Sequence, residues 1–267
     1  MANKKVLELF WYWIRERENI RVQRAMGVSS PWTDDEVLGK YYFCNVRRED
    51  DKVTRELREL AKKHCATHEL PWYYTLARLF NYAPTMKTIM EVGEERAVDI
   101  LEKRMSKDSE KVFHTAYLVS TCGESISKVA YCFRLAGEVR KIKVPEESLD
   151  SAYRTLIKVR GLASFMVGQV IADLKNDRYL SGAPDWFTWS TIGPGSKKGM
   201  DFIFGDESPT TAGNYQARID YLYESMPEDI RNMRIHAQDL QNCLCEFSKY
   251  CRYKIGGRGR SRIYHHE

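Results

Sequence analysis

Apolar residues recur at helical spacing through most of this chain, and that pattern restricts its fold more than any other feature. Val6, Phe10, Trp13, Ile14 and Arg17 share one face, and Arg21 and Arg24 continue near it. Val53, Leu57, Leu60 and His64 mark another stripe, and Pro71 to Phe80 another. The segments AVDILEKRMS, KVFHTAYLVS and Ser127 to Leu135 predict further helices, and a series after Pro145 runs through Leu156 and Val159. Strand-like alternation is absent apart from the short RKIKV at Arg140 to Val144. An all-α fold is therefore expected. In PWTDDEVL, Thr33 is the expected N-cap of a helix, with Glu36 as its capping-box partner. Gly, Pro and Ser crowd into LSGAPDW and TIGPGSKKGMDFIFGDESPTTAG, which read as loop or broken helix. Helices resume from Asn214 to about Tyr253.

With 267 residues the chain is long enough for a full-sized core. Residues 1–253 are expected to form a single helical domain, as one body or as two intertwined lobes with a cleft, and 254–267 a basic, partly disordered tail. Lys and Arg number 42 against 37 Asp and Glu, a formal charge of +5 that permits a nucleic-acid partner without demanding one. No stretch is long and apolar enough to cross a bilayer, so no membrane partner is expected. Seven cysteines suit a reducing compartment better than a disulfide framework. Cys243, Cys245 and Cys251 cluster without a fourth thiolate in register, and His64 and His68 lack a third ligand; no metal and no cofactor are expected.

Several segments carry residue types suited to chemistry on an anionic polymer. In VRGLASFMVGQVIADL a turn around Arg160, Gly161, Ala163 and Ser164 leads into a helix, whose N-terminal amides suit a phosphate. The competing reading is a plain helix–helix turn with Gly161 as the C′ residue. GPGSKKG reads as an exposed turn, and Gly193, Gly195, Ser196, Lys197 and Lys198 are candidates for a DNA backbone or for simple solvation. It is not a Walker A loop, which disfavours an ATP-using kinase. Asp185 lies between these two stretches and is either a base or a helix cap. Trp186 and Phe187 beside it are placed to stack on an extruded base. Arg78 and Asn81 adjoin an apolar run, so they are expected to be semi-buried, either gripping an anion or paired with Asp50, Asp51 or Glu246.

Together RERENIRVQR, PWTDDEVLGKYYFCNVRREDDKVT, LARLFN, KVFHTAYLVSTCG, the Gly161 turn, GPGSKKG and CEFSKYCR resemble a phage family. It comprises the α-glutamyl/putrescinyl thymine pyrophosphorylases, the amino acid:DNA transferases and the helical domain of 5-hydroxymethyluracil DNA kinases. The resemblance covers most of the chain and implies a derivative of the helix-hairpin-helix DNA glycosylase fold, with Asp185 near the position of the glycosylase aspartate and Ala163 where a second glycine is typical. It implies a reaction in which the phosphate or pyrophosphate on a 5-methylene of uracil in DNA is replaced by an amine, glycine being the expected donor. The implied partners are double-stranded DNA carrying phosphorylated 5-hydroxymethyluracil, a free amino acid or polyamine, and a pathway kinase, in the cytoplasm of an infected bacterium. Arg21, Arg24, Asn45, Arg48, Arg78, Asn81 and Lys249 are expected to line the pocket, with Asp51, Asp185 or Glu246 as the base. A glycosylase or lyase acting on a modified base, and a non-enzymatic DNA-binding module assisting a kinase, remain the alternatives.

Overall fold

The computed structural model describes residues 2–107, 110–114, 119–205, 207–257, 259 and 263–264. In chain order the α-helices are α1 (Lys4–Ala25), α2 (Glu36–Lys40), α3 (Lys52–His64), α4 (Leu70–Phe80), α5 (Ala83–Val92), α6 (Glu94–Ser106), α7 (Lys128–Arg140) and α8 (Leu149–Leu156). They continue with α9 (Ser164–Lys175), α10 (Pro194–Phe204), α11 (Ala212–Glu224), α12 (Glu228–Arg231) and α13 (Ala237–Lys254). The chain is all-α: among the described residues the one β feature noted is an isolated antiparallel bridge between Tyr41 and Ile263. No described helix is long and apolar enough to cross a membrane.

The helices divide between two compact units. The first joins Met1–Asp51 to Phe187–Glu267, and the second is the continuous stretch Lys52–Trp186.

In the first unit α13 is the central helix, burying Leu240, Cys243, Leu244, Phe247 and Tyr250. Phe10, Trp13 and Ile14 of α1 share that core, with Phe10 edge-on to Phe247 at 5.1 Å between centroids. Burying such aromatic rings contributes roughly 1.5–3 kcal/mol each. Asn3 caps α1, its side chain accepting from the Lys5 and Val6 amides. The cap of α2 is Asp35, which accepts from Val37 and Leu38 at 2.9 Å; the expected cap, Thr33, instead accepts from the Asp35 amide at 3.1 Å. A carboxylate one residue before the helix satisfies two amides at once, and its other oxygen accepts the Tyr250 hydroxyl at 2.7 Å.

The stretch GPGSKKG is helix rather than turn. Pro194 occupies the first turn of α10, where its missing N–H costs nothing, and Gly193 is the N-cap. Gly195 and Gly199 lie one turn apart against α13: a Cβ on Gly199 would fall 2.1 Å from the Leu244 carbonyl oxygen, and one on Gly195 2.2 Å from Cys245 Sγ. Those glycines let two backbones touch.

In the second unit all residues of α4 are buried, and it packs against α7 and α9. Ser127 and Ser148 cap α7 and α8. The expected helix KVFHTAYLVS does not form over its described residues, 111–114 and 119–120; 115–118 lie outside them. His114 is instead tied by its amide to the Phe80 carbonyl.

Candidate functional site

In the first unit the stretch from Phe43 to Asp51 is non-helical except for one 3-10 turn, Arg48–Asp50, and α1 and α13 hold it in place. Arg17, 2% exposed on the apolar stripe of α1, donates from Nε to the Phe43 and Cys44 carbonyls at 3.1 and 3.0 Å, and from Nη2 to Asn45 Oδ1 at 2.6 Å. Its Nη1 is buried without a hydrogen-bond partner among the described residues. From α13, Glu246 accepts the Cys44 amide at 3.1 Å and the Lys249 ammonium. Asn242 donates to the Asn45 carbonyl at 3.1 Å, and Asp239 accepts the Arg48 amide at 3.2 Å. Asn45 donates in turn to Asp51 Oδ1 at 3.0 Å and to the Asp50 carbonyl at 3.1 Å.

Five of the expected pocket residues, Asn45, Arg48, Asp51, Glu246 and Lys249, therefore belong to one network. Arg21 joins its edge, paired with Glu18 at 2.6 Å and Asp50 at 3.4 Å; Arg47 bridges the same two acids at 3.2 and 3.0 Å. Arg24 does not share these acids. Its guanidinium lies 5.1 Å from the Trp32 ring and 5.3 Å from Tyr264, a cation–π arrangement. Tyr264 packs edge-on against Trp32 and tilted against Tyr42, so this part of the 254–267 stretch is seated on the 41–45 segment; 258, 260–262 and 265–267 lie outside the described residues.

The electrostatics of the network are set by its acids. The Glu246 carboxylate, then burial, then Asp51 push the Cys44 thiol well above its ordinary range, so it stays protonated. Burial disfavours the charged form of Lys249, but the Glu246 charge and hydrogen bond outweigh it and raise the ammonium above its ordinary range. Burial and neighbouring Cys44 also raise the Tyr42 phenol, which faces Asp51 and Tyr264.

In the second unit Arg78 and Asn81 come together, but around a buried acid. Arg78, 2% exposed, makes a bidentate pair with Asp173 at 2.5 and 2.6 Å, and donates to Asn81 Oδ1 and Thr54 Oγ1 at 3.0 Å each. Its bidentate acid is thus Asp173 of α9, a partner the sequence did not point to. Asn81 ends α4 in the left-handed region, at φ 48°. Asp185 accepts the Leu149 and Asp150 amides at 2.8 and 3.0 Å, capping α8. Beside it, the buried Lys175 donates to the Trp186 carbonyl at 2.6 Å while Trp186 Nε1 donates back to the Lys175 carbonyl.

Helix α8 ends at Leu156, earlier than expected, and Gly161 lies beyond it in the turn to α9 rather than at C′. Its φ of +105° needs glycine, and a Cβ there would meet Tyr131 Oη at 2.6 Å and Leu135 at 2.7 Å. Arg160, Gly161 and Ala163 are exposed, Ser164 opens α9, and Ala163 as N-cap supplies no side-chain acceptor. The first amides of α9 therefore have no side-chain cap. Lys158 and Arg160 also border a groove of about 360 Å3 with Arg134, Glu138, Ile142, Thr155 and Val159.

Back in the first unit, Gly195, Ser196 and Lys197 are occupied by α10 itself: the glycine abuts α13, Ser196 is buried against Gly193, and Lys197 pairs with Asp201 at 2.7 Å. Lys198 is exposed. Sequence reasoning missed Glu18, Asp173, Asp239 and Asn242 as partners, and did not single out Arg17 as an anchor. The signal for Arg17 was a cation at the helical spacing of an apolar stripe. Among the described residues no three His, Cys, Asp or Glu side chains converge as a metal site would require.

The described residues thus make an all-helical chain with an arginine- and carboxylate-rich polar network in one unit and a glycine-turned, side-chain-uncapped start of α9 in the other. Residues 4–257 match the family described as 5-hmdU DNA kinase, helical domain, and the chain belongs to that family. It is similar to the protein named 5-hmdU DNA kinase of Bacillus phage SP10, 25% identical over 297 aligned residues that cover 94% of this chain and 46% of that one. The chain thus spans about half the length of this relative. No solved structure matches.

Proposed function

We propose that this chain acts in thymidine hypermodification of phage DNA, replacing the phosphate or pyrophosphate of a 5-phosphomethyluracil base with an amine, glycine being the donor. The observation that carries the reading is the 43–51 segment: Asn45, Asp51, Arg48, Glu246 and Lys249 form one network in a family whose name is tied to 5-hydroxymethyluracil in DNA. The amine nitrogen forms a bond to the exocyclic carbon, the C–O bond breaks, and phosphate leaves with the electron pair. Growing charge on that oxygen needs fixed cations, which Lys249 and the Arg47–Arg48 pair supply. Asp51 is the preferred base for the proton lost by the amine, because it is partly exposed and oriented by Asn45. Glu246 is 3% exposed and bound to Lys249, and both oxygens of Asp185 accept backbone amides, so each suits a positioning role better. Arg17 Nη1, a buried donor, has an unmet need for an acceptor such as water or a substrate oxygen.

The hairpin of the second unit would grip the DNA backbone through the α9 amides, Lys158 and Arg160. Reaching an exocyclic carbon in a duplex calls for base extrusion. A second reading is a helical module that serves a separate kinase. It is favoured by the relative's name, by coverage of under half of that relative, and by the lack of a Walker A pattern in this sequence.

The deciding experiment mixes the protein with phosphomethyluracil DNA and a panel of amino acids and polyamines, followed by nucleoside mass spectrometry. The expected product has lost phosphate and gained glycine, and Asp51→Asn lowers its yield about 100-fold or more with unchanged thermal melting. Abasic sites would favour a glycosylase, and DNA binding without any adduct would favour the kinase-serving module.

A further inference from the structure

Beyond the glycine contact between α10 and α13, a groove of about 450 Å3 opens within the first unit, lined by Lys198, Asp201, Phe202, Gly205, Ser248, Arg252 and Ile255. Both helices turn the same kind of face to it. Lys198, Phe202 and Gly205 follow i, i+4, i+7 on α10, and Ser248, Arg252 and Ile255 do so along α13 and its C-cap. Phe202 is 40% exposed and Ile255 77%. The acid in the groove, Asp201, is already neutralised by Lys197 and by the Thr210 amide, each at 2.7 Å. Lys198 and Arg252 have no carboxylate partner among the described residues. Exposed apolar side chains in the same groove as two cations without a carboxylate partner are complementary to a chain that carries regular negative charge on apolar sugars.

We infer that this groove is a DNA-backbone contact surface, in which Lys198 and Arg252 each engage a phosphate and Phe202 packs on the intervening sugar. The inference rests on the reading that the chain acts on DNA, and adds to the hairpin a second contact carried by the other unit. The C-terminal ends of α10 and α13 lie beside the groove, and each carries the partial negative charge of its helix dipole. The two cations therefore have to overcome a local field that disfavours anions, and removing both leaves a surface that repels phosphate. An acidic protein segment has charge of the same sign but lacks the fixed spacing of phosphates, so DNA is the occupant argued for.

The test is the salt dependence of binding to an unmodified DNA duplex, measured by fluorescence anisotropy at several NaCl concentrations. Each lost phosphate contact lowers the slope of log K against log [salt] by about 0.9, so Lys198→Ala/Arg252→Ala lowers it by about 1.8. Phe202→Ser weakens binding several-fold and leaves the slope unchanged, since it removes no charge. Lys158→Ala/Arg160→Ala on the hairpin is the comparator. If the hairpin variant lowers the slope and the groove variant, folded by circular dichroism, does not, the groove is not a DNA contact while DNA binding stands. If the native protein binds no DNA, the groove assignment and the proposed function fall together.

Discussion

The Arg78–Asp173 pair separates two roles that one arginine can play. If Arg78 is a structural anchor, as its 2% exposure and bonds to Asp173, Asn81 and Thr54 indicate, Arg78→Ala removes the bidentate partner of a carboxylate that is 1% exposed. Removing one partner of a buried pair costs about 3–5 kcal/mol, whereas an exposed ligand-gripping arginine costs little. With a urea dependence of roughly 2 kcal/mol per molar, a 4 kcal/mol loss moves the unfolding midpoint down by about 2 M. The assay is urea denaturation followed by circular dichroism, with hydrogen exchange on α4 and α9 to localise the change. Arg78→Met combined with Asp173→Leu removes both charges and is expected to recover most of the loss, because neither member of the pair is then left buried without the other. An unchanged midpoint in Arg78→Ala, or a double variant no more stable than the single, would refute the anchor assignment.

Other expectations follow from the same geometry. Gly199→Ala forces a Cβ to within 2.1 Å of a backbone oxygen and should cost about 1–3 kcal/mol in urea denaturation, while Gly137→Ala in α7, with nothing within 4 Å, should be neutral or stabilising by up to about 1 kcal/mol. Burial raises the Asp35 carboxyl, but the Leu38 amide, the Tyr250 hydroxyl and Lys254 outweigh it and hold the group below its ordinary value. Its stabilisation is thus present above the unfolded pKa of about 3.9 and lost as pH falls through the lower folded value, so Asp35→Asn should be less stable at pH 7 and converge on the native protein in acid thermal melts. Cys122 is the one exposed cysteine, while Cys44, Cys65, Cys132, Cys243, Cys245 and Cys251 have raised pKa values. A thiol reagent at pH 7 should therefore modify Cys122 rapidly and the others only on unfolding.

Helical periodicity carried the fold class because its signal is local: Val53, Leu57 and His64, or the residues from Pro71 to Phe80, needed no knowledge of their neighbours in space. It failed where a residue type has two physical meanings. Glycine and proline read as breakers in GPGSKKG, yet here the proline opens a helix and Gly195 and Gly199 admit a second backbone. Partner identity was equally hidden. The sequence leaves Arg78 either gripping an anion or paired with Asp50, Asp51 or Glu246, but its bidentate acid lies 95 positions away on α9, and spacing carries no information at that range. For Asp185 the competing reading, a helix cap, describes its bonds, although the helix it caps precedes it by 36 positions. The 43–51 segment was singled out by residue types and by resemblance; its anchoring by Arg17, Asp239 and Asn242 required the fold.

The interrupted first unit has a consequence for how the protein is made. Helix α1 packs against α10, α12 and α13, with Phe10 edge-on to Phe247, and all three helices are encoded after the continuous second unit. A ribosome adding about 5–20 residues per second needs on the order of ten seconds to synthesise that intervening stretch. During that interval the second unit has its own core residues in hand, whereas the apolar stripe of α1 waits in solvent for partners that have not been translated. The nascent N-terminal helix is therefore the segment that a ribosome-associated chaperone would have to shelter.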